Sequence, residues 1–127
     1  MKQEFVWITN ELYGAFVAAT GHRVPSYWIN GKIPAGSGGF PVTFVSAIDA
    51  DAYCAWVGKR LPTDAEAGAR GVNRPLWLWE WTATSKEKNR VVWGGSWINY
   101  ELNLRAAYRH FIDPAFRFNI VGFRCSR

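Results

Sequence analysis

The chain has 127 residues, of which 49% are hydrophobic and 17% aromatic, and it carries a formal charge of +5. That length supports one hydrophobic core rather than two, and 8 Trp, 8 Phe and 5 Tyr give the core ample area to bury. The 15 basic residues are scattered, with no run beyond Lys59-Arg60, and no apolar stretch approaches the roughly 20 residues of a membrane span. Neither a nucleic-acid partner nor membrane insertion is therefore expected, and "MKQEFVWITNELYG" lacks the apolar segment of a signal peptide.

In chain order, Thr9 or Asn10 is placed to cap a helix whose apolar residues are Leu12, Phe16, Val17 and Ala19, with Gly21 as its terminator. The following "GHRVPSYWINGKIPAGSGG" reads as an ordered loop, with Asn30-Gly31 as a turn and with Tyr27 and Trp28 packed on the body of the domain. Ser46 and Asp49 then form a capping box before Ala50, Tyr53, Cys54 and Val57 at helical spacing, and Gly58 ends the run. Thr63, Asp64, Glu66 and Gly71 repeat the device in miniature. From Leu76 onward the pattern becomes short and β-prone: "LWLWEWTAT", "RVVWGGSW", "LRAAYR" and "VGFRC". By contrast His110 to Val121 holds Phe111, Ile112, Phe116, Phe118 and Ile120 without a sustained period, and reads as loop around an Asp113-Pro114 turn.

Two cysteines, Cys54 and Cys125, fit neither a CxxC redox pair nor a zinc site; they are two buried thiols or one disulfide. His22 and His110 assemble no catalytic constellation, and each reads as a surface or loop residue. Glu80 and Asp113 are lone carboxylates, better suited to capping or to pairing with Arg than to holding a metal. No catalytic residue, metal ligand or cofactor is expected.

"DADAYCAWVGKRLPTDAE", "WEWT", "GGSW", "LRAAYR" and "GFRC", in that order, resemble the formylglycine-generating enzyme or sulfatase-modifying-factor domain, and "TNELYGAFVAATGHRVPSYW" extends the resemblance over nearly the whole chain. The resemblance implies an α+β fold of the minimal C-type lectin kind. Two main helices would occupy the N-terminal half and short antiparallel strands the C-terminal half. It also implies that Cys54 and Cys125 are the framework pair joining the helical region to the last strand. The converting enzymes carry two redox-active cysteines shortly after the GGS motif, where copper binds; here that segment is "WINYELNLRAAYR", without cysteine. The resemblance to an enzyme thus arrives without the enzyme's chemistry.

A second group with this domain, the variable proteins of diversity-generating retroelements, is similar in its 3′ region: GGSW, a variable triplet, LR(S/A)A-R, a second triplet, DP, further variable positions and GFR. That likeness divides the chain into a scaffold, residues 1–93, and a variable region, residues 94–125. Its variable positions would be Ile98, Asn99, Tyr100, His110, Phe111, Ile112, Phe116, Phe118, Asn119 and Ile120, with Leu102 as a further candidate. Randomised AAC codons become NNC codons, which never encode Lys, Glu, Gln, Met or Trp. Those five types make up 21 of the 127 residues, yet none occurs at the variable positions, a result that chance gives roughly one time in six. Between the variable positions stand residues with structural tasks: Gly94, Gly95 and Gly122 for tight backbone, Trp97, Leu104 and Phe123 for the core, and Arg105, Arg109 and Arg117 for carbonyls or carboxylates.

The expectation is a ligand-binding display protein whose partner is a protein or a cell-surface ligand, shown by resemblance on a cell or virion surface. Its alternatives are a formylglycine-generating-type oxidase, or a catalytically dead relative with a fixed binding role. A calcium-dependent sugar lectin would need the EPN or QPD and WND motifs, which are missing. The apolar residues of 110–121 would then be exposed because they bind, the alternative being a small second core beneath a loop.

Overall fold

The computed structural model describes residues 6–69, 78–94 and 108–127. Helix α1 (Asn10–Thr20) starts where Thr9 accepts a hydrogen bond from the Leu12 amide, and ends at Gly21 in the left-handed conformation. Its inward stripe is Asn10, Tyr13 and Phe16. Leu12 and Ala19 are exposed, because Tyr13 rather than Leu12 sets the phase of the buried face. Helix α2 (Ala47–Trp56) has the full reciprocal capping box between Ser46 and Asp49 and buries Ala50, Tyr53 and Cys54. Its end leaves Val57 exposed. Helix α3 (Asp64–Ala69) repeats the box: the Thr63 amide donates to Glu66 Oε1 at 2.8 Å, and the Glu66 amide donates to Thr63 Oγ1 at 3.1 Å.

Strands β1 (Trp79–Lys86), β2 (Asn89–Gly94), β3 (Tyr108–Ile112) and β4 (Val121–Gly122) form one sheet in the order β3-β2-β1-β4. The chain is therefore α+β. Two expectations are corrected here. The sheet is not wholly antiparallel: β1 pairs antiparallel with β2, and β2 with β3, but β4 runs parallel to β1, with Trp79 opposite Val121 and Glu80 opposite Gly122. The segment after β3 crosses the sheet and returns in the direction of β1, which a hairpin would not allow. In addition, His110, Phe111 and Ile112 are strand rather than loop, fixed opposite Val92, Val91 and Arg90. A ladder of backbone bonds to β2 overrides the irregular side-chain pattern.

One face of the sheet packs on α1 and α2. Tyr13 stacks on Tyr53 with centroids 5.9 Å apart, and Phe123 meets both rings edge-on. Trp81, fully buried, donates from Nε1 to the Val45 carbonyl at 2.9 Å, tying the sheet to the start of α2. Trp28 is buried, as expected, and donates to Asn10 Oδ1, while Tyr27 is half-buried and bonds the same oxygen. The first and last described segments come together. The Ile8 amide donates to the Phe123 carbonyl, Arg60 and Ser126 exchange both backbone bonds, and Cys54 is bonded to Cys125 across a separation of 71 residues. Beneath them Glu80 and Arg124 form a buried ion pair at 2.8 Å, with the Arg124 guanidinium 4.6 Å from the Trp7 ring centre.

Candidate functional site

The segment 113–120 leaves β3, crosses to α2 and rejoins the sheet at β4. Asp113 opens it as a turn: its Oδ1 accepts the Ala115 amide at 2.8 Å and its carbonyl accepts the Phe116 amide at 3.1 Å. Three framework amides then donate to carbonyls of the segment: Ala47 to Pro114 at 3.0 Å, Phe44 to Phe118 at 2.9 Å and Trp79 to Ile120 at 2.8 Å. Phe44 makes its bond from a left-handed backbone, φ 57°, a conformation that a bulky residue holds only where its surroundings enforce it.

One side-chain anchor completes the attachment. Arg117 donates from Nε to Asp49 Oδ2 at 3.1 Å, and its Nη2 lies 3.1 Å from the same oxygen. The Asp49 side chain, 4% exposed, also takes the Ser46 amide at 2.9 Å and stands 2.8 Å from His22 Nε2. His22, read in the sequence as a surface or loop residue, is thus half-buried in an ion-pair cluster. A capping residue that also collects a guanidinium and an imidazole fixes three segments to one point. Tyr13 lies close to this cluster, and burial first, then the Asp49 charge, pushes its hydroxyl well above the ordinary tyrosine range.

The expected binding residues divide into two groups. His110, Phe111, Phe116 and Asn119 are exposed, Phe111 by 42% and Phe116 by 55%. Ile112, Phe118 and Ile120 are half-buried and pack against the core. These three, with His110, form the walls of a pocket of about 220 Å³ whose floor is Trp79, Val92 and Val121. His110 leans over the Trp79 ring with centroids 5.4 Å apart. Phe116 meets Phe118 edge-on at 5.8 Å, so the exposed ring is braced by a partly buried one. Asn119 turns the other way, into a larger concavity of about 470 Å³ beside Tyr27, Phe40 and Pro41. Ile98, Asn99, Tyr100 and Leu102 lie outside the described residues, as do Gly71, Gly95, Trp97, Leu104 and Arg105.

The pocket floor was not read from the sequence as part of a site. Trp79 and Val92 carry an ordinary strand signal, and only the β1-β2-β3 register brings them beside His110. Arg109 and Arg117 were expected to find carboxylates or carbonyls: Arg109 pairs with Asp64, which also accepts from the Trp93 indole, and Arg117 pairs with Asp49. Both cysteines are consumed in one disulfide, so the chain has no free thiol. Among the described residues no group of three or more His, Cys, Asp or Glu side chains is arranged to hold a metal ion, and no helix is long and apolar enough to cross a membrane.

Comparison with known proteins matches residues 4–77 and 76–127 to the family described as the sulfatase-modifying factor enzyme 1-like domain. The inactive C-alpha-formylglycine-generating enzyme 2 of Bos taurus is 40% identical over 87 residues, covering 62% of this chain and 24% of that protein. The formylglycine-generating enzyme of Thermomonospora curvata is 37% identical over 82 residues, 56% of this chain and 26% of that protein. That of Mus musculus is 44% identical over 55 residues, 42% of this chain and 12% of that protein. The chain thus spans about a quarter or less of the length of these relatives. With both of its halves matched in order, the chain belongs to the family of the sulfatase-modifying factor enzyme 1-like domain.

Proposed function

We propose that this chain is a non-catalytic, ligand-binding member of its family, built on a minimal C-type lectin fold, whose surface around β3 and 113–120 is diversified by a retroelement to recognise protein or cell-surface ligands. The observation that carries the reading is the chemistry of the attachment. The framework holds 113–120 through carbonyls of the segment, which every residue type has, and through Arg117, which lies outside the variable set. Side chains at Phe116, Phe118, Asn119 and Ile120 can change while those bonds persist. Exposed rings on a fixed backbone bury large area with little loss of freedom, as binding loops require.

The pocket supports the same reading. Its floor of Trp79, Val92 and Val121 lies outside the variable positions and its walls among them, so substitution reshapes the opening without unpacking the floor. The occupant would be one apolar side chain of the partner, with His110 as the polar group at the mouth.

Sequencing the coding DNA of residues 91–127 with its flanks across the source population tests the proposal. Substitutions confined to Ile98–Tyr100, Leu102, His110–Ile112, Phe116 and Phe118–Ile120, beside an adenine-rich near-copy, are expected. A fixed segment without a second copy would refute diversification and leave a static, catalytically silent relative. The oxidase reading lacks a thiolate while Cys54 and Cys125 are bonded. Tight, stoichiometric Cu(I) binding by the reduced protein would restore it.

A further inference from the structure

The side chains of β3 alternate. His110 and Ile112 line the pocket, whereas Arg109 and Phe111 point to the opposite face of the sheet. On that opposite face Lys86 of β1 holds its ammonium 5.0 Å from the centre of the Phe111 ring, and the Arg109 guanidinium lies 5.9 Å from it. The two cations are not equivalent. Arg109 is engaged by Asp64, while Lys86 is exposed and has no carboxylate within ion-pair distance among the described residues.

We infer that the Lys86–Phe111 face of β3 recognises a carboxylate on a protein partner, set directly beside the apolar group that covers Phe111. The inference rests on the reading of β3 as part of a binding surface. A partner that buries the exposed part of Phe111 also strips water from the ammonium beside it. Desolvating that charge without a counter-ion opposes binding, and a carboxylate brought to the same place removes the penalty. A single ammonium offers point-charge recognition that suits one carboxylate oxygen; the forked donors that favour phosphate belong to Arg109, whose fork is committed to Asp64. Lys86 lies in the scaffold, and Lys is outside the NNC set. Its charge is therefore constant while the ring it flanks varies, and the whole repertoire carries the same preference for acidic partners.

The test is selection of a displayed random-peptide library, with acidic and basic residues equally represented, on the intact protein and on Lys86→Gln. Lys86 is exposed, and an unchanged melting temperature confirms that the variant folds. Peptides enriched on the intact protein should pair a large apolar residue with Asp or Glu. Their affinity should fall about tenfold on Lys86→Gln and weaken with added salt. Enriched peptides that are apolar without acidic bias, and bind Lys86→Gln equally well, would overturn this inference while leaving the binding surface intact. Failure to enrich any peptide on either protein would overturn the binding reading and this inference with it.

Discussion

Replacing Arg117 by Met tests whether the segment 113–120 is held by its framework or by its own side chains. Met keeps most of the apolar stem and removes the guanidinium that reaches Asp49 at 3.1 Å. Stripping every partner from a buried charge costs roughly 3 to 5 kcal/mol, but Asp49 retains the Ser46 amide and His22, so we expect a loss of about 2 kcal/mol. For 127 residues the unfolding entropy near the midpoint is about 0.27 kcal/mol/K, which converts that loss into a fall of about 7 °C in Tm. The reference is the double variant Phe116→Ser and Asn119→Ser. Both residues are exposed, and this pair should cost within about 0.5 kcal/mol, or about 2 °C. Thermal melts followed by circular dichroism measure both. Hydrogen exchange at the Phe44 and Ala47 amides, which donate into the segment, should speed up in Arg117→Met and stay unchanged in the double variant. If the serine pair destabilises as much as Arg117→Met, the segment is a packed second core and the reasoning is refuted.

Removing the disulfide as Cys54→Ala with Cys125→Ala frees a loop of 71 residues, and chain entropy alone predicts a loss of about 4 kcal/mol; a thiol titration of the unreduced protein should find no reactive group. Gly122→Ala places a methyl 2.8 Å from the Val42 carbonyl oxygen, a backbone atom with little room to move, so denaturant unfolding should show a loss of about 1 to 3 kcal/mol. Glu66 is held at about 2, well below the usual carboxylate range, first by its bonds to Arg60 and then by the Thr63 amide. Its stabilising contribution is therefore complete above the unfolded carboxylate value near 4.5 and is lost as pH falls toward 2. Because the pair is largely open to solvent, Glu66→Gln should cost only about 1 kcal/mol at neutral pH. The difference between the two proteins should vanish across that acid window.

Much of the scaffold was legible because local chemistry dictates it. The Ser46 and Asp49 box, the left-handed Gly21 and the Asp113 turn each depend on neighbours within a few residues, and each forms as the sequence implies. The phase of α1 is not fixed locally, because Leu12 and Tyr13 compete for the same stripe, and the choice is made by Tyr53 and Phe123, distant in sequence. The same limit explains β3. Nothing local marks His110 to Ile112 as strand; the ladder to β2 does. In the candidate site the walls were legible and the floor was not, because a strand's side chains show their alternation but not their neighbours across the sheet. Lys86 went unnoticed for the same reason: the register and its own reach over the sheet bring it to Phe111.

The segment between β3 and β4 enters the framework as an acceptor. At Pro114, Phe118 and Ile120 the cross-links run from framework amides into carbonyls of the segment. Proline has lost its donor and kept its carbonyl. At positions 118 and 120 proline would leave these tethers in place. At Phe116, whose amide closes the Asp113 turn, and at the alternate β3 positions whose amides face β2, it would remove a bond. The polarity of a few hydrogen bonds therefore separates positions of the segment where proline leaves every tether in place from positions where it removes one.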